Sequence, residues 1–143
     1  MPIKPSYRSK GNAKKPIIST KTGIKVRSRL EQRVADDLTA RGIKYLYEKE
    51  KLKYTVPASE HVYTPDLTFK SRKWICEIKG VLDFETQKKM LHVRASNPDR
   101  DIRFLFQRDN VIRRGSKTRY SDWCNKHGFL YAIGKIPQEW LDE

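Results

Sequence analysis

The chain has 143 residues, a length that suits one domain with a modest core. Its 31 Lys and Arg against 17 Asp and Glu leave a net charge of +14, an excess that favours a polyanionic partner, above all nucleic acid. No apolar run approaches membrane-spanning length, the basic N-terminus lacks the apolar stretch of a secretory signal, and the two separated cysteines, Cys76 and Cys124, form no CxxC pair. These features argue against a membrane protein and against a zinc or disulfide framework, and they fit a reducing cytosolic setting in which each cysteine is a small buried apolar residue.

Residues 1–27 hold eight Lys or Arg and no acid. With few large apolar residues, this basic arm is expected to be disordered alone, serving as a phosphate contact or a solubilising tail. A folded domain, residues 28–143, follows. In "SRLEQRVADDLTARG", Leu30, Val34 and Leu38 recur at the period of one helix face, Ser28 suits the N-cap, Glu31 the capping-box position and Gly42 the C′ position. "IKYLYEKEKLKYTV" reads as strand, with Ile43, Tyr45 and Tyr47 alternating. "PASEH", residues 57–61, reads as a hinge or loop.

"DLTFK" and "KWICEIK" read as two short strands around a turn near Ser71 and Arg72. A helix from an Asp83 cap runs until Pro98 stops it, and "DIRFLFQ" reads as a buried strand. The basic loop "RDNVIRRGSKTRY", a short helix closed by Gly128, the strand "FLYAI" and a last helical turn from Pro137 complete the chain. Strands mixed with helices predict an α/β or α+β domain around a central mixed sheet.

The chemistry concentrates in "YTPDLTFKSRKWICEIKG". Residues two apart on a strand share a side, so Glu77 and Lys79 share one face while Trp74, Cys76 and Ile78 take the other. If the two strands pair, Asp66 comes beside them. Phosphodiester hydrolysis needs charge stabilisation and an activated water, and Mg²⁺ supplies both through carboxylate and carbonyl ligands. Asp66, Glu77 and the Ile78 backbone carbonyl could hold that metal, and Lys79 could orient or deprotonate the water. Charged residues on an open hairpin face are also ordinary surface chemistry, worth about 0.2–1 kcal/mol per cross-strand pair. Glu31 is open to two readings in the same way, as a helix cap or as a further metal-facing acid.

The blocks "SRLEQRVADDLTARGIKYLYE", "YTVPASEHVYTPD", "CEIKG" and "WCNKHG…KIPQEW" together resemble the phage endonuclease I family, Holliday-junction resolvases of the PD-(D/E)xK nuclease superfamily. The resemblance runs from about Ser28 to the C-terminus, which would make residues 28–143 the endonuclease domain. It implies a restriction-endonuclease-like α/β core with a mixed sheet, in an intertwined, domain-swapped homodimer. Residues 28–56 would be exchanged between chains and residues 57–61 would bridge them. It gives Asp66, Glu77 and Lys79 the catalytic roles and adds Glu31 from the partner chain at a second metal position. One or two Mg²⁺ per site are implied, with Mn²⁺ able to substitute. The substrate would be branched DNA, a four-way junction cut by paired nicks in the cytoplasm of a phage-infected or prophage-bearing bacterial cell. One departure stands out: the family carries an acid where this chain has Leu46; either Glu48, two residues on and on the same strand face, replaces it, or the role is missing.

A two-fold protein suits a roughly two-fold junction, read through shape and backbone. The candidate phosphate contacts are Arg113, Arg114, Lys117 and Arg119 in the loop, with Lys88 and Lys89 on the helix after the site as secondary candidates; the alternative for each is a solvated surface charge. His61, His92 and His127 show no metal spacing, and Trp74, Trp123 and Trp140 are expected in the core. The competing function classes are a nuclease without junction preference and a basic nucleic-acid-binding protein without catalysis.

Overall fold

The computed structural model of the chain describes residues 17–56 and 59–143. The elements run in the order β1 (Ile18–Ser19), β2 (Lys25–Val26), α1 (Arg29–Ala40), β3 (Leu46–Tyr47), β4 (Leu52–Val56), β5 (Ser59–Tyr63), β6 (Leu67–Thr68), β7 (Trp74–Lys79), α2 (Phe84–Ser96), β8 (Asp101–Phe106), α3 (Tyr120–His127), β9 (Leu130–Ile133) and α4 (Gln138–Leu141). A five-stranded sheet ordered β3-β6-β7-β8-β9 forms the centre. β3, β6 and β7 pair antiparallel, whereas β7, β8 and β9 pair parallel. The expected α/β architecture with a central mixed sheet is what the chain forms.

Strand alternation builds two apolar layers on this sheet. Ile75, Ile102, Phe104 and Phe106 face one side, where Met90 and Val93 of α2, Trp123 and Cys124 of α3, and Leu52, Tyr54 and Tyr63 of the β4–β5 hairpin cover them. Trp74, Cys76, Ile78 and Leu105 face the other, against Leu30, Val34 and Leu38 of α1 and Trp140 and Leu141 of α4. All three tryptophans and both cysteines are buried, as expected. Arg103 is buried too; its guanidinium lies 5.0 Å from the Trp74 ring and 5.1 Å from the Trp140 ring, and it pairs with Asp101 and Glu143 at 2.7 and 2.6 Å.

The local signals for helix ends hold. Ser28 Oγ accepts from the Glu31 amide at 3.1 Å, Asp83 Oδ1 accepts from the Thr86 amide at 2.8 Å, and Gly42 and Gly128 follow their helices with φ of 71° and 74°.

Three expectations change. Residues 17–27 are not a disordered arm. β1 and β2 pair in register Ile18↔Val26, Val26 is fully buried, and the ribbon is tied to α1 by the Lys21 amide donating to Asp36 Oδ1 and by Gln32 Nε2 donating to the Ser19 carbonyl. Gly23, at φ 84°, lets the ribbon turn. The rest of the arm, residues 1–16, lies outside the described residues. Next, the stretch from Ile43 to Val56 is not one strand: Leu46–Tyr47 joins the central sheet and Leu52–Val56 joins a separate hairpin. Finally, Ser59, Glu60 and His61 are the opening of β5, paired with β4, rather than loop. Pro57 and Ala58 of the expected bridge lie outside the described residues.

Candidate active site

The site forms where β7 changes neighbour type, antiparallel to β6 on one side and parallel to β8 on the other. The register Leu67↔Cys76 sets Asp66, one residue before β6, across from Glu77. Glu77 is 6% exposed in an apolar setting, and Lys79, two residues on, is partly open to solvent. Lys79 Nζ lies 3.3 Å from Glu77 Oε1. The three residues expected to converge from strand alternation therefore do so.

Glu31 arrives from α1. Its Oε1 accepts from the Ser28 hydroxyl at 2.8 Å and its Oε2 accepts from the Tyr47 hydroxyl. The Glu31 amide is thus capped by Ser28, and its carboxylate lies beside that of Asp66. Glu48 completes the group, with ligand oxygens of Glu31, Glu48 and Asp66 all within 4.8 Å of one another. Glu48 does not reach the site by sharing a strand face with Leu46, because the strand ends at Tyr47. It reaches it through a left-handed backbone, φ 48°, while its amide donates to the Asp66 carbonyl at 3.2 Å and Arg27 pairs with its carboxylate at 3.3 Å. A non-glycine residue held there costs roughly 1–2 kcal/mol, which the surrounding contacts must offset.

Each acid has its own donor. Asp66 Oδ2 accepts from the Ile78 amide at 2.8 Å, and Glu77 Oε2 accepts from the Tyr63 hydroxyl. Burial first, and the Glu77 charge second, push the Asp66 carboxyl well above its ordinary range, against the pull of the Ile78 amide. Burial also raises Glu77, with Lys79 and the Tyr63 hydroxyl opposing it. The Tyr47 and Tyr63 phenols are raised too, by burial and by the carboxylates they touch, so both remain protonated donors.

Carboxylates gathered this closely are what a hard divalent cation stabilises, and oxygen donors are the ligands Mg²⁺, Mn²⁺ and Ca²⁺ take. Glu31, Glu48 and Asp66 could together hold such an ion. Glu77 stands across from Asp66 outside this trio, with its oxygens on Tyr63 and Lys79. His61, His92 and His127 take no part in this group.

The loop that carries most of the candidate phosphate contacts starts from the same edge. β7 and β8 are parallel, so both carboxyl ends emerge together, and the Gln107 amide donates to the Lys79 carbonyl at 3.3 Å. The loop leaving that edge carries Arg113, Arg114, Lys117 and Arg119, all exposed. Arg119 Nη1 is tied to the Asp109 carbonyl at 2.7 Å. Lys88 and Lys89 are exposed on α2; Lys88 lies 5.8 Å from the Phe84 ring and Lys89 5.3 Å from the Tyr63 ring. Sequence reasoning missed both tyrosine donors. The strand alternation of Tyr47 was visible, but no pattern in a sequence says where a phenol tip ends.

The family model for Phage endonuclease I matches residues 13–143. The chain is 40% identical over 118 residues to Endonuclease I of Escherichia phage T7, covering 82% of this chain and 78% of that protein. It is also 40% identical over 116 residues to Endodeoxyribonuclease 1 of Enterobacteria phage T3, covering 80% and 76%. A family match across almost the whole chain, with two relatives at that identity, settles the affiliation: the chain belongs to the phage endonuclease I family.

Proposed function

We propose that the protein is a divalent-metal-dependent DNA endonuclease of the PD-(D/E)xK type that resolves four-way junctions by paired nicks. The observation that carries this reading is the convergence of Glu31, Glu48, Asp66, Glu77 and Lys79 at the carboxyl end of β7, on the edge from which the basic loop leaves. The names of the T7 and T3 relatives, an endonuclease and an endodeoxyribonuclease, support DNA cleavage. Mg²⁺, or Mn²⁺ in its place, would be held by Asp66 with Glu31 and Glu48 on one side and with Glu77 and the Ile78 carbonyl on the other, in one or two positions. The ion supplies a lowered pKa for bound water and charge stabilisation on the phosphate.

The chain's own residues do the rest. Asp66, fixed by the Ile78 amide, presents a pre-oriented carboxylate between Glu77 and the pair Glu31 and Glu48. Lys79, anchored on Glu77 and open to solvent on its far side, orients the attacking water and offsets charge on the scissile phosphate. Arg113, Arg114, Lys117 and Arg119, with Lys88 and Lys89, hold the flanking backbone.

The active form in this reading is a homodimer in which residues 28–56 exchange between chains, so that Glu31 serves the partner's Asp66. Within one chain α1 packs on the sheet through Leu30, Val34 and Leu38, contacts that an exchanged copy would have to reproduce. The protein would act in the cytoplasm of the phage-infected or prophage-bearing host cell; among the described residues no helix is long and apolar enough to cross a membrane.

A labelled four-way junction incubated with Mg²⁺ beside a duplex control tests the reading. Paired nicks near the branch are expected. Equal cutting of both substrates would leave a nuclease without junction preference, and tight binding without cutting would leave a non-catalytic binding protein. Glu77→Ala is expected to lose nearly all cleavage while retaining junction binding; unimpaired cutting by that variant would sink the site assignment.

A further inference from the structure

We propose that Tyr63 is a positioning residue of this site, acting on the metal-facing carboxylate of Glu77. The inference rests on the reading of Glu77 as a site acid. Tyr63 is 1% exposed at the end of β5, its ring packed in the apolar layer with Leu52, Tyr54 and Ile75. Its hydroxyl donates to Glu77 Oε2. Lys79 Nζ holds the other oxygen, Oε1, at 3.3 Å. Glu77 is therefore gripped from two strands at once, and rotation of its carboxylate would break one contact or the other. The lone pairs that remain are those available to a cation shared with Asp66.

Chain connectivity strengthens the grip. Tyr63 precedes Asp66 by three residues, through Thr64 and Pro65, so one short segment carries both Asp66 and the donor that orients its partner acid. The Lys89 ammonium sits 5.3 Å from the Tyr63 ring centroid. That contact holds the ring from the α2 side, so Lys89 has a place in the site's architecture besides any phosphate it meets. A phenol buried only for packing would need one acceptor of any kind. Here the acceptor is a buried acid whose geometry the chemistry depends on.

Partners that orient a metal-facing carboxylate are typically worth about 10–100-fold in metal affinity or activity. Tyr63→Phe keeps the ring in the core and removes only the hydroxyl. For the full-length protein, Mn²⁺ binding without DNA is read by isothermal titration calorimetry, and single-turnover junction cleavage is read separately. The variant is expected to bind Mn²⁺ about 10–100-fold more weakly and to cleave more slowly by a similar factor, with its melting temperature in EDTA and its junction affinity close to wild type. Mn²⁺ affinity and cleavage rate both within about twofold of wild type would overturn the proposal, as would a lowered melting temperature with Mn²⁺ affinity unchanged. Glu77→Gln runs alongside. If it loses Mn²⁺ affinity and cleavage while Tyr63→Phe keeps both, Tyr63 alone is misassigned; if Glu77→Gln keeps both, the site reading fails as well.

Discussion

Asp66→Asn tests the electrostatics of the site without any DNA. The ligand oxygens of Glu31, Glu48 and Asp66 lie within 4.8 Å of one another. Two unit charges at that separation repel by about 3.5 kcal/mol at an effective dielectric of about 20, and by about 0.9 kcal/mol in bulk water. All three acids are half-buried, so each pair falls between those limits. Two such pairs converge on Asp66, Glu77 adds a third repulsion, and Lys79 opposes them. The amide keeps an oxygen to accept the Ile78 N–H, which Asp66 receives at 2.8 Å. In EDTA at pH 8, Asp66→Asn is therefore expected to gain about 1–2 kcal/mol, or roughly 3–8 °C in melting temperature.

The sign with pH follows from the raised carboxyl of Asp66. A folded-state value above the unfolded one, about 3.9, means the folded wild type binds more protons over that window. Wild-type stability then falls as pH rises from about 4 through the folded value, at about 1.4 kcal/mol per unit of separation. The variant escapes that loss, so the two melting curves should coincide in acid and separate toward pH 8. Mg²⁺ at about 100 times its dissociation constant should add about 2.7 kcal/mol to wild type and far less to the variant, reversing their order. A variant that melts below wild type in EDTA at pH 8, or gains equally from Mg²⁺, would refute the reasoning.

Replacing Arg113, Arg114 and Lys117 together by Ala should lower the salt dependence of junction binding by about 0.9 in log–log slope for each phosphate no longer neutralised, while a slope unchanged from wild type would remove the loop from the interface. Mixing inactive Asp66→Asn protein with inactive Glu31→Gln protein should restore cleavage if sites draw on both chains; persistent inactivity after co-refolding would count against exchange. Leu38→Ala, at a fully buried position in the α1 packing, should cost about 2–5 kcal/mol by denaturant unfolding, and a loss under about 1 kcal/mol would mean that α1 does not hold this place in solution.

What the sequence revealed about this protein was mostly local or periodic. Ser28, Gly42, Asp83 and Gly128 act within a few residues of themselves, so the helix ends were readable. Alternation along "KWICEIK" placed Glu77 and Lys79 on one face, and Asp66 follows once β6 pairs with β7. Where alternation failed, the backbone had left the strand. Glu48 enters at positive φ, a choice that no two-residue period predicts. The hydroxyls of Tyr47 and Tyr63 reach acids 16 positions before and 14 positions after them, a tertiary fact. The ribbon at 18–26 escaped notice because two-residue strands barely alternate and its stability comes from Val26 and from α1. In β5, the preceding proline and small polar residues masked a strand that is held by its hairpin partner.

Cys76 has a use that its burial creates. It sits fully enclosed beside Glu77, its thiol pushed up by burial and then by Asp66 and Glu77, and Cys124 is likewise buried and pushed up to about 12. An alkylating reagent therefore meets neither sulfur in the closed protein. Cys76 becomes reactive only while β7 is parted from its neighbours, so its labelling rate is a clock for the breathing of the strand that carries the acids. A cation that ties Asp66 to Glu77 should make that clock run slow, with no DNA and no cleavage needed to read it.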